Sequence, residues 1–318
     1  MKSYREAGVN IEKAGQFVEF IKSIRSSAMG DGIGAFSSGF KINLNRYKNP
    51  IVLATTDGVG TKILIAEEFG DYTTIGIDLV AMSVNDLLAS GAEPYSFYDY
   101  IACGRLETKL LNRVIQSIVK GCEEGGLKLA GGETAELPDM YADGDIDLAG
   151  FAVGIAEEDH MLPHIDEIRT GDTVLGIPSS GIHSNGLSLA RKVIPKSERN
   201  IRRMLLKPTR IYAKEIKAVL QTGAMLGAAH ITGGGLKGNI ERVIPKKLKL
   251  SLNRTWKIPE IFKLIKHYGK IEDEEMYRVF NMGIGMALIC HSEDVPLMQK
   301  ISDQNNFKLL RIGSLKNG

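Results

Sequence analysis

Ile51-Val52-Leu53-Ala54-Thr55-Thr56-Asp57-Gly58-Val59-Gly60-Thr61-Lys62 joins an apolar run to an aspartate, two glycines, a hydroxyl and a lysine. Pro50 bounds the run on one side and Asp57-Gly58 on the other, so residues 51–55 read as a buried strand ending in a turn. A strand end followed by glycines lets backbone N–H groups approach phosphate. Asp57 could hold a metal there, and Lys62 could pair with charge. A glycine turn with a surface lysine explains the same residues equally well. The familiar signatures do not apply: the first glycine of a Walker A loop is missing, and Ile63 stands where a dinucleotide fingerprint needs its third glycine.

Working outward, residues 75–90 read as a helix that stops at Gly91. In Gly76-Ile77-Asp78-Leu79-Val80-Ala81-Met82-Ser83-Val84-Asn85-Asp86-Leu87-Leu88, a 100° spacing puts Val80, Val84, Leu87 and Leu88 on one side. Asp78, Met82 and Asn85 share the other, with Asp86 nearby. Carboxylates and an amide on one face suit a hydrated magnesium touching phosphate, and an ordinary solvated face is the plainer reading. Leu110–Cys122 carries a second helical pattern, and Asp147–Ala156 alternates as a strand. Residues 157–171 are polar and without period, which sets the domain boundary: 1–158 and 159–318. Beyond it, a strand at 172–177 leads through Ser179-Ser180-Gly181-Ile182-His183-Ser184-Asn185-Gly186 into a helix. Helices near 212–220, 235–243 and 259–267 and strands near 282–290 and 307–313 follow. Strands and helices mixed in both halves argue α/β or α+β for each.

Composition narrows the function. Lys plus Arg number 40 against 38 Asp plus Glu, a net charge of +2 that gives no footprint for nucleic acid or an anionic membrane. No run of about 18 apolar residues would span a bilayer. Three scattered cysteines argue for reduced thiols and a cytoplasmic setting. The 35 glycines cluster in loops: Gly30–Gly39, Gly58–Gly60, Gly131-Gly132, Gly181–Gly186 and Gly233–Gly235. Such clusters bring backbone close to a ligand. Ala130-Gly131-Gly132-Glu133 places an acid behind two glycines. His183 and Asn185 precede a helix start, a natural place for an anionic or polar substrate. His230-Ile231-Thr232-Gly233-Gly234-Gly235 is a further small-residue loop.

Taken in order and spacing, these segments resemble the aminoimidazole ribonucleotide synthetases, also called phosphoribosylformylglycinamidine cyclo-ligases. The likeness begins at Ser3-Tyr4-Arg5-Glu6-Ala7-Gly8-Val9-Asn10 and ends at Tyr277-Arg278-Val279-Phe280-Asn281-Met282-Gly283. Asp-Gly-Val-Gly-Thr-Lys, Gly-Ile-Asp-Leu-Val-Ala-Met, His-Ser-Asn-Gly and Thr-Gly-Gly-Gly are specific jointly rather than singly. The resemblance implies a homodimer in which N-terminal sheets pair into a shared barrel, each flanked by a C-terminal α/β sandwich. It implies ATP bound under the loop containing Gly32 and Gly34, with Mg2+ and K+ as candidate cations. The reaction it implies is closure of formylglycinamidine ribonucleotide to aminoimidazole ribonucleotide with release of ADP and phosphate. On this basis Asp57, Lys62 and His183 are candidate catalytic residues, and Asp57, Asp78, Asp86 and Glu133 candidate metal ligands. Gly32, Gly34, Gly58, Gly60, Thr61, Asn85, Thr232 and Gly233 are candidate nucleotide contacts, and His183 and Asn185 substrate contacts. The N-terminal loop departs from the family pattern: it is poorer in glycine and preceded by Arg25-Ser26-Ser27, so Arg25 stands where a lysine contact is expected. Selenophosphate synthetase, thiamine monophosphate kinase and a silent nucleotide-binding module are the competing readings.

Overall fold

The computed structural model describes residues 5–318; Ser3 and Tyr4, which open the resemblance, lie outside the described residues. The first half runs α1 (Ile11–Ser23), β1 (Pro50–Gly58), α2 (Ile63–Phe69), α3 (Ile75–Ala89), β2 (Glu93–Cys103), α4 (Thr108–Gly125), β3 (Lys128–Glu136) and β4 (Ile146–Glu157). The second runs β5 (Thr173–Pro178), α5 (Leu187–Val193), α6 (Arg199–Met204), α7 (Ala213–Leu220), β6 (Gly227–His230), α8 (Gly235–Ile240), β7 (Leu248–Leu252), α9 (Glu260–Gly269), α10 (Asp273–Val279), β8 (Ile284–Cys290), α11 (Val295–Gln304) and β9 (Leu310–Asn317).

The first-half strands form one sheet in the order β1-β4-β2-β3, and the second-half strands another in the order β6-β8-β5-β9-β7. β4 is antiparallel to both β1 and β2, whereas β2 and β3 are parallel. The second sheet is antiparallel throughout. The architecture is therefore α+β with two sheets.

The patterns that read cleanly are β1, α3, α4 and β4. Two neighbours did not. Residues 128–136, expected as a glycine loop bearing Glu133, form β3. Gly131 and Gly132 interrupt the apolar alternation, but Gly132 is required by packing: a Cβ there would lie 2.3 Å from Asp99 Oδ1 on β2. β2 itself escapes pattern reading because Pro94 and Asp99 break its apolar run.

α3 organises the molecule. Every residue from Ile75 to Asn85 is buried, because the first sheet covers one side of the helix while β6 and α7 cover the other. The solvated face expected for Asp78 and Asn85 is thus a contact between the two halves. Gly76 lets α4 close in, since a Cβ would meet the Ile118 amide nitrogen at 2.4 Å. A helix enclosed on all sides belongs to the core of a large assembly of elements. The opposite face of the first sheet is open. Burial along β4 alternates so that Asp147 and Phe151 point outward on that face, and Val52 of β1 and Tyr100 of β2 are exposed as well.

Candidate functional site

The end of β1 enters a cleft between the halves. Asp57 is half-buried. Burial raises its carboxyl pKa, the Gly58 N–H opposes this, nearby Asp86 raises it further, and His230 lowers it. The Gly58 amide donates to Asp57 Oδ1 at 2.7 Å. Gly60 takes φ +56°, a conformation that costs glycine little, and turns the chain toward the second half. There Thr61 Oγ1 lies 3.1 Å from Ser188 Oγ, and the Ser184 carbonyl lies 4.0 Å from where a Gly60 Cβ would be.

The 232–235 turn approaches the neighbouring Asn185 from the other side of the sequence. Asn239 Nδ2 donates to the carbonyls of Gly235 (2.8 Å) and Gly233 (3.1 Å), fastening the turn, while a Cβ on Gly233 would sit 3.7 Å from Asn185 Oδ1. Asn185 Nδ2 is buried without a hydrogen-bond partner, a donor left for something the chain does not supply. Deeper in, His230 Nδ1 and Asp86 Oδ1 are 2.9 Å apart and His230 Nε2 is 3.4 Å from Asn85 Nδ2. An amide nitrogen can only donate, so Nε2 accepts and the Nδ1–H donates to Asp86. Asp86, His230, Asn239 and Arg242 line a cavity of about 360 Å³.

A second cleft, about 550 Å³, lies on the open sheet face under the glycine loop. Gly32, Gly34, Phe36 and Ser37 cover it, and Thr56, Gly131 and Glu133 lie beneath. Asp99, which also lines it from the row of Asp57, Gly150 and Gly132, is 8% exposed. Burial first, and the Glu133 charge second, push its carboxyl up to about 7, against its own backbone N–H.

Several expected site residues are placed elsewhere. Lys62 and Asp78 are both fully buried. The ammonium donates to Asp78 Oδ1 and to the Lys207 carbonyl, each at 2.7 Å. Asp78 Oδ1 also accepts from the Thr209 amide (2.7 Å), Thr209 Oγ1 and Ser184 Oγ. Lys62 and Asp78 Oδ1 are thus engaged by the second half of the chain, whereas Asp78 Oδ2 is buried without a hydrogen-bond partner. Asn85 Nδ2 donates to the Arg210 carbonyl (2.9 Å), and its Oδ1 accepts the Tyr212 amide (3.1 Å), so it too joins the halves instead of facing a nucleotide. His183 is 0% exposed at φ +62°. Its Nε2 accepts from the amides of Ser180 (3.2 Å) and Arg210 (3.5 Å). Burial, then the neighbouring charges of His230, Lys62 and Arg210, hold its pKa well below the usual value. The enclosed imidazole is held neutral, and with Nε2 accepting, its Nδ1–H is buried without a hydrogen-bond partner, as Asn185 Nδ2 is.

Nor do the four metal candidates form one site. Asp57, Gly150, Asp99 and Gly132 are paired in a single row across the sheet. Three strand spacings put Glu133 roughly 14 Å from Asp57. Glu133 also lies on the open face, whereas Asp57 faces α3. Among the described residues no three His, Cys, Asp or Glu side chains are grouped for a metal.

The segment 207–212, which the sequence patterns passed over, supplies the donors and carbonyls that satisfy α3. Its sole signal is indirect: a buried Asp78 and Asn85 require polar partners. A second inter-half clasp was equally unread. The buried Arg202 guanidinium grips Glu68, with Nε to Oε1 at 2.7 Å, and donates to the carbonyls of Arg191 and Ile194.

Residues 44–156 match the family described as AIR synthase related protein, N-terminal domain, and residues 169–318 match the corresponding C-terminal domain. The chain is 43% identical over 330 residues to a phosphoribosylformylglycinamidine cyclo-ligase of Neisseria meningitidis serogroup C, covering 99% of this chain and 95% of that protein. It is 46% identical to the enzyme of that name from Thermoanaerobacter pseudethanolicus, over 92% of this chain and 91% of the relative. In fold it is similar to hydrogenase maturation protein HypE solved in complex with ATP, with a TM-score of 0.68 and 16% identity over 96% of this chain and 86% of the other. Identity of this order across both halves, with both domain families matched in sequence order, places the chain in the phosphoribosylformylglycinamidine cyclo-ligase family.

Proposed function

We propose that the protein closes formylglycinamidine ribonucleotide to aminoimidazole ribonucleotide in purine biosynthesis, consuming ATP and releasing ADP and phosphate. The observation that carries this is the extended identity with cyclo-ligases over both halves. An amide carbonyl oxygen is a poor leaving group. Phosphorylating the formyl oxygen gives an iminophosphate, which the amidine nitrogen attacks, expelling phosphate. Such a transfer asks for positioning and charge neutralisation more than for covalent help from the protein.

The amides of Gly60 and Thr61 are suited to phosphate oxygens, and the unpartnered Asn185 amide nitrogen to a polar substrate atom. ATP is assigned to the cleft under Gly32 and Gly34. Mg2+ fits Asp57 and Asp86, two carboxylates close enough that one raises the other's pKa. Magnesium commonly takes one or two carboxylates and completes its shell with phosphates and water, and it would supply charge neutralisation here. Potassium is a further candidate without a residue set of its own. Residues 1–158 are read as the ATP-binding and dimerising half and 159–318 as the C-terminal half. The open sheet face, with Val52 59% and Phe151 43% exposed, is the surface a second copy would cover to complete a barrel. Three buried free thiols agree with a cytoplasmic setting.

Incubation with formylglycinamidine ribonucleotide, ATP and magnesium should yield imidazole product and ADP in step. ADP without imidazole would point to a sibling activity, and no turnover by folded protein to a silent module. Asp57→Asn should remove most turnover with the fold intact; near-normal activity would end its proposed metal role.

A further inference from the structure

His230 ends β6 in the second half of the chain, and Asp86 lies near the end of α3 in the first. Both line the cavity of about 360 Å³, but they meet it differently. The imidazole is 2% exposed and the carboxylate 46%. One member of the pair is held by protein on nearly every side, while the other is open to the cavity. Among the described residues the Asp86 carboxylate makes a single hydrogen bond, from His230 Nδ1 to Oδ1 at 2.9 Å. Oδ2 is left free.

The imidazole is oriented in turn by Asn85, which is fully buried. The Asn85 amide cannot be turned over. Its Oδ1 accepts the Tyr212 N–H at 3.1 Å and its Nδ2 donates to the Arg210 carbonyl at 2.9 Å. A flipped amide would set donor against donor and acceptor against acceptor. The second Nδ2 hydrogen is therefore the one near His230 Nε2, at 3.4 Å. That contact is long, but its direction is settled by the amide: Nε2 presents a lone pair, and the one ring proton sits on Nδ1 facing Asp86.

The resulting chain of contacts crosses between the halves twice. Arg210 and Tyr212 of the second half hold Asn85 on α3, Asn85 sets the tautomer of His230 on β6, and His230 reaches back to Asp86 on α3. Asp86 is thus seated by the same packing that joins the halves.

We propose that His230 is a positioning residue: as a neutral imidazole held by Asn85, it fixes the Asp86 carboxylate through Oδ1 and leaves Oδ2 for magnesium. The inference rests on the assignment of magnesium to Asp57 and Asp86 made with the cyclo-ligase reading. A carboxylate open to solvent samples several rotamers, and a buried donor on one oxygen selects one of them. The ordering cost of binding a cation falls accordingly, as it does where outer partners orient a metal ligand. A neutral donor suits the task, because a cation at residue 230 would compete with the metal for the same negative charge.

The test uses the full-length enzyme and Mn2+ without nucleotide as the probe, with affinity read by electron paramagnetic resonance. Asp86→Asn should weaken Mn2+ binding about tenfold or more; unchanged affinity would take the metal away from Asp86 and overturn the proposal. His230→Asn and His230→Gln then separate orientation from volume. Asparagine carries an amide nitrogen near the Nδ1 position, whereas the glutamine amide fills more of the ring's space but reaches the Nε2 position. Mn2+ affinity should stay within about threefold of the parent in His230→Asn and fall about tenfold in His230→Gln. A packing role predicts the reverse order, since asparagine leaves the larger void. The reverse order, or equal affinities in the two variants, would overturn the proposal. The unmodified enzyme gives a reading that needs no variant to fold: with isotope-labelled histidine, the imidazole most broadened by Mn2+ in nuclear magnetic resonance should carry its proton on Nδ1. An Nε2–H tautomer there would overturn the proposal as well. Absence of coupled imidazole and ADP formation, with Mn2+ affinities ordered as expected, would sink the cyclo-ligase reading and support the positioning role.

Discussion

Lys62→Met probes whether Lys62 serves phosphate or the join between the halves. Lys62 and Asp78 are fully buried, so methionine removes one charge and leaves the other enclosed. Breaking a buried pair in this way costs about 3–5 kcal/mol. Asp78 keeps the Thr209 amide, Thr209 Oγ1 and Ser184 Oγ as donors, which favours the lower end. The Lys207 carbonyl loses its donor at the same time, adding about 1 kcal/mol. At about 2–4 °C per kcal/mol for a unit of this size, the resulting loss of about 4–5 kcal/mol should lower the melting temperature by about 8–20 °C in a thermal scan. Below that transition the KM for ATP should stay within about twofold. In Lys62→Met/Asp78→Asn both charges are gone while an acceptor remains at residue 78, so more than half of the loss should be recovered, a coupling that a double-mutant cycle reads directly. A melting temperature within a degree of the parent's, with ATP KM raised tenfold, would refute the reasoning and return Lys62 to the phosphates.

Two further predictions concern pH. The folded-state carboxyl of Asp99 is raised to about 7, so the unfolded chain ionises first as pH rises. Stability should decline between about pH 4 and pH 7, by something on the order of 4 kcal/mol. Asp99→Asn should flatten that decline and raise the melting temperature at pH 8; an unchanged profile would contradict it. His183 behaves in the opposite sense: its folded pKa is depressed, the unfolded chain takes the proton, and stability should fall as pH drops below about 6.5. Asn tolerates the left-handed backbone found there, so His183→Asn should weaken this acid limb and, at pH 8, retain turnover per folded molecule. A collapse of turnover at pH 8 with the fold intact would restore His183 as the base.

The local patterns were legible where one physical signal dominates. An apolar run before Asp57-Gly58 made β1, the 3.6-residue period ending at Gly91 made α3, and alternation made β4. β3 was lost because Gly132 breaks the pattern for a reason that exists only across the sheet, the room Asp99 needs. The glycine turns at 58–60 and 233–235 were legible as places of close approach, and both do come close to the Ser184-Asn185 segment.

What each acid in that region does was decided by tertiary structure alone. Periodicity placed Asp78 and Asn85 on one helix face but could not say whether water, a metal or protein lay against it. The second half of the chain lies against it: residues 207–212 fill that face, so Asp78 neutralises Lys62 and Asn85 ties down Tyr212. Asp86, one residue further on, escapes the seal, meets His230 and looks into the cleft. Spacing along a chain determines which residues share a face. Burial, charge pairing and reach across more than a hundred residues determine what that face touches, and those quantities exist only once both halves have packed around α3.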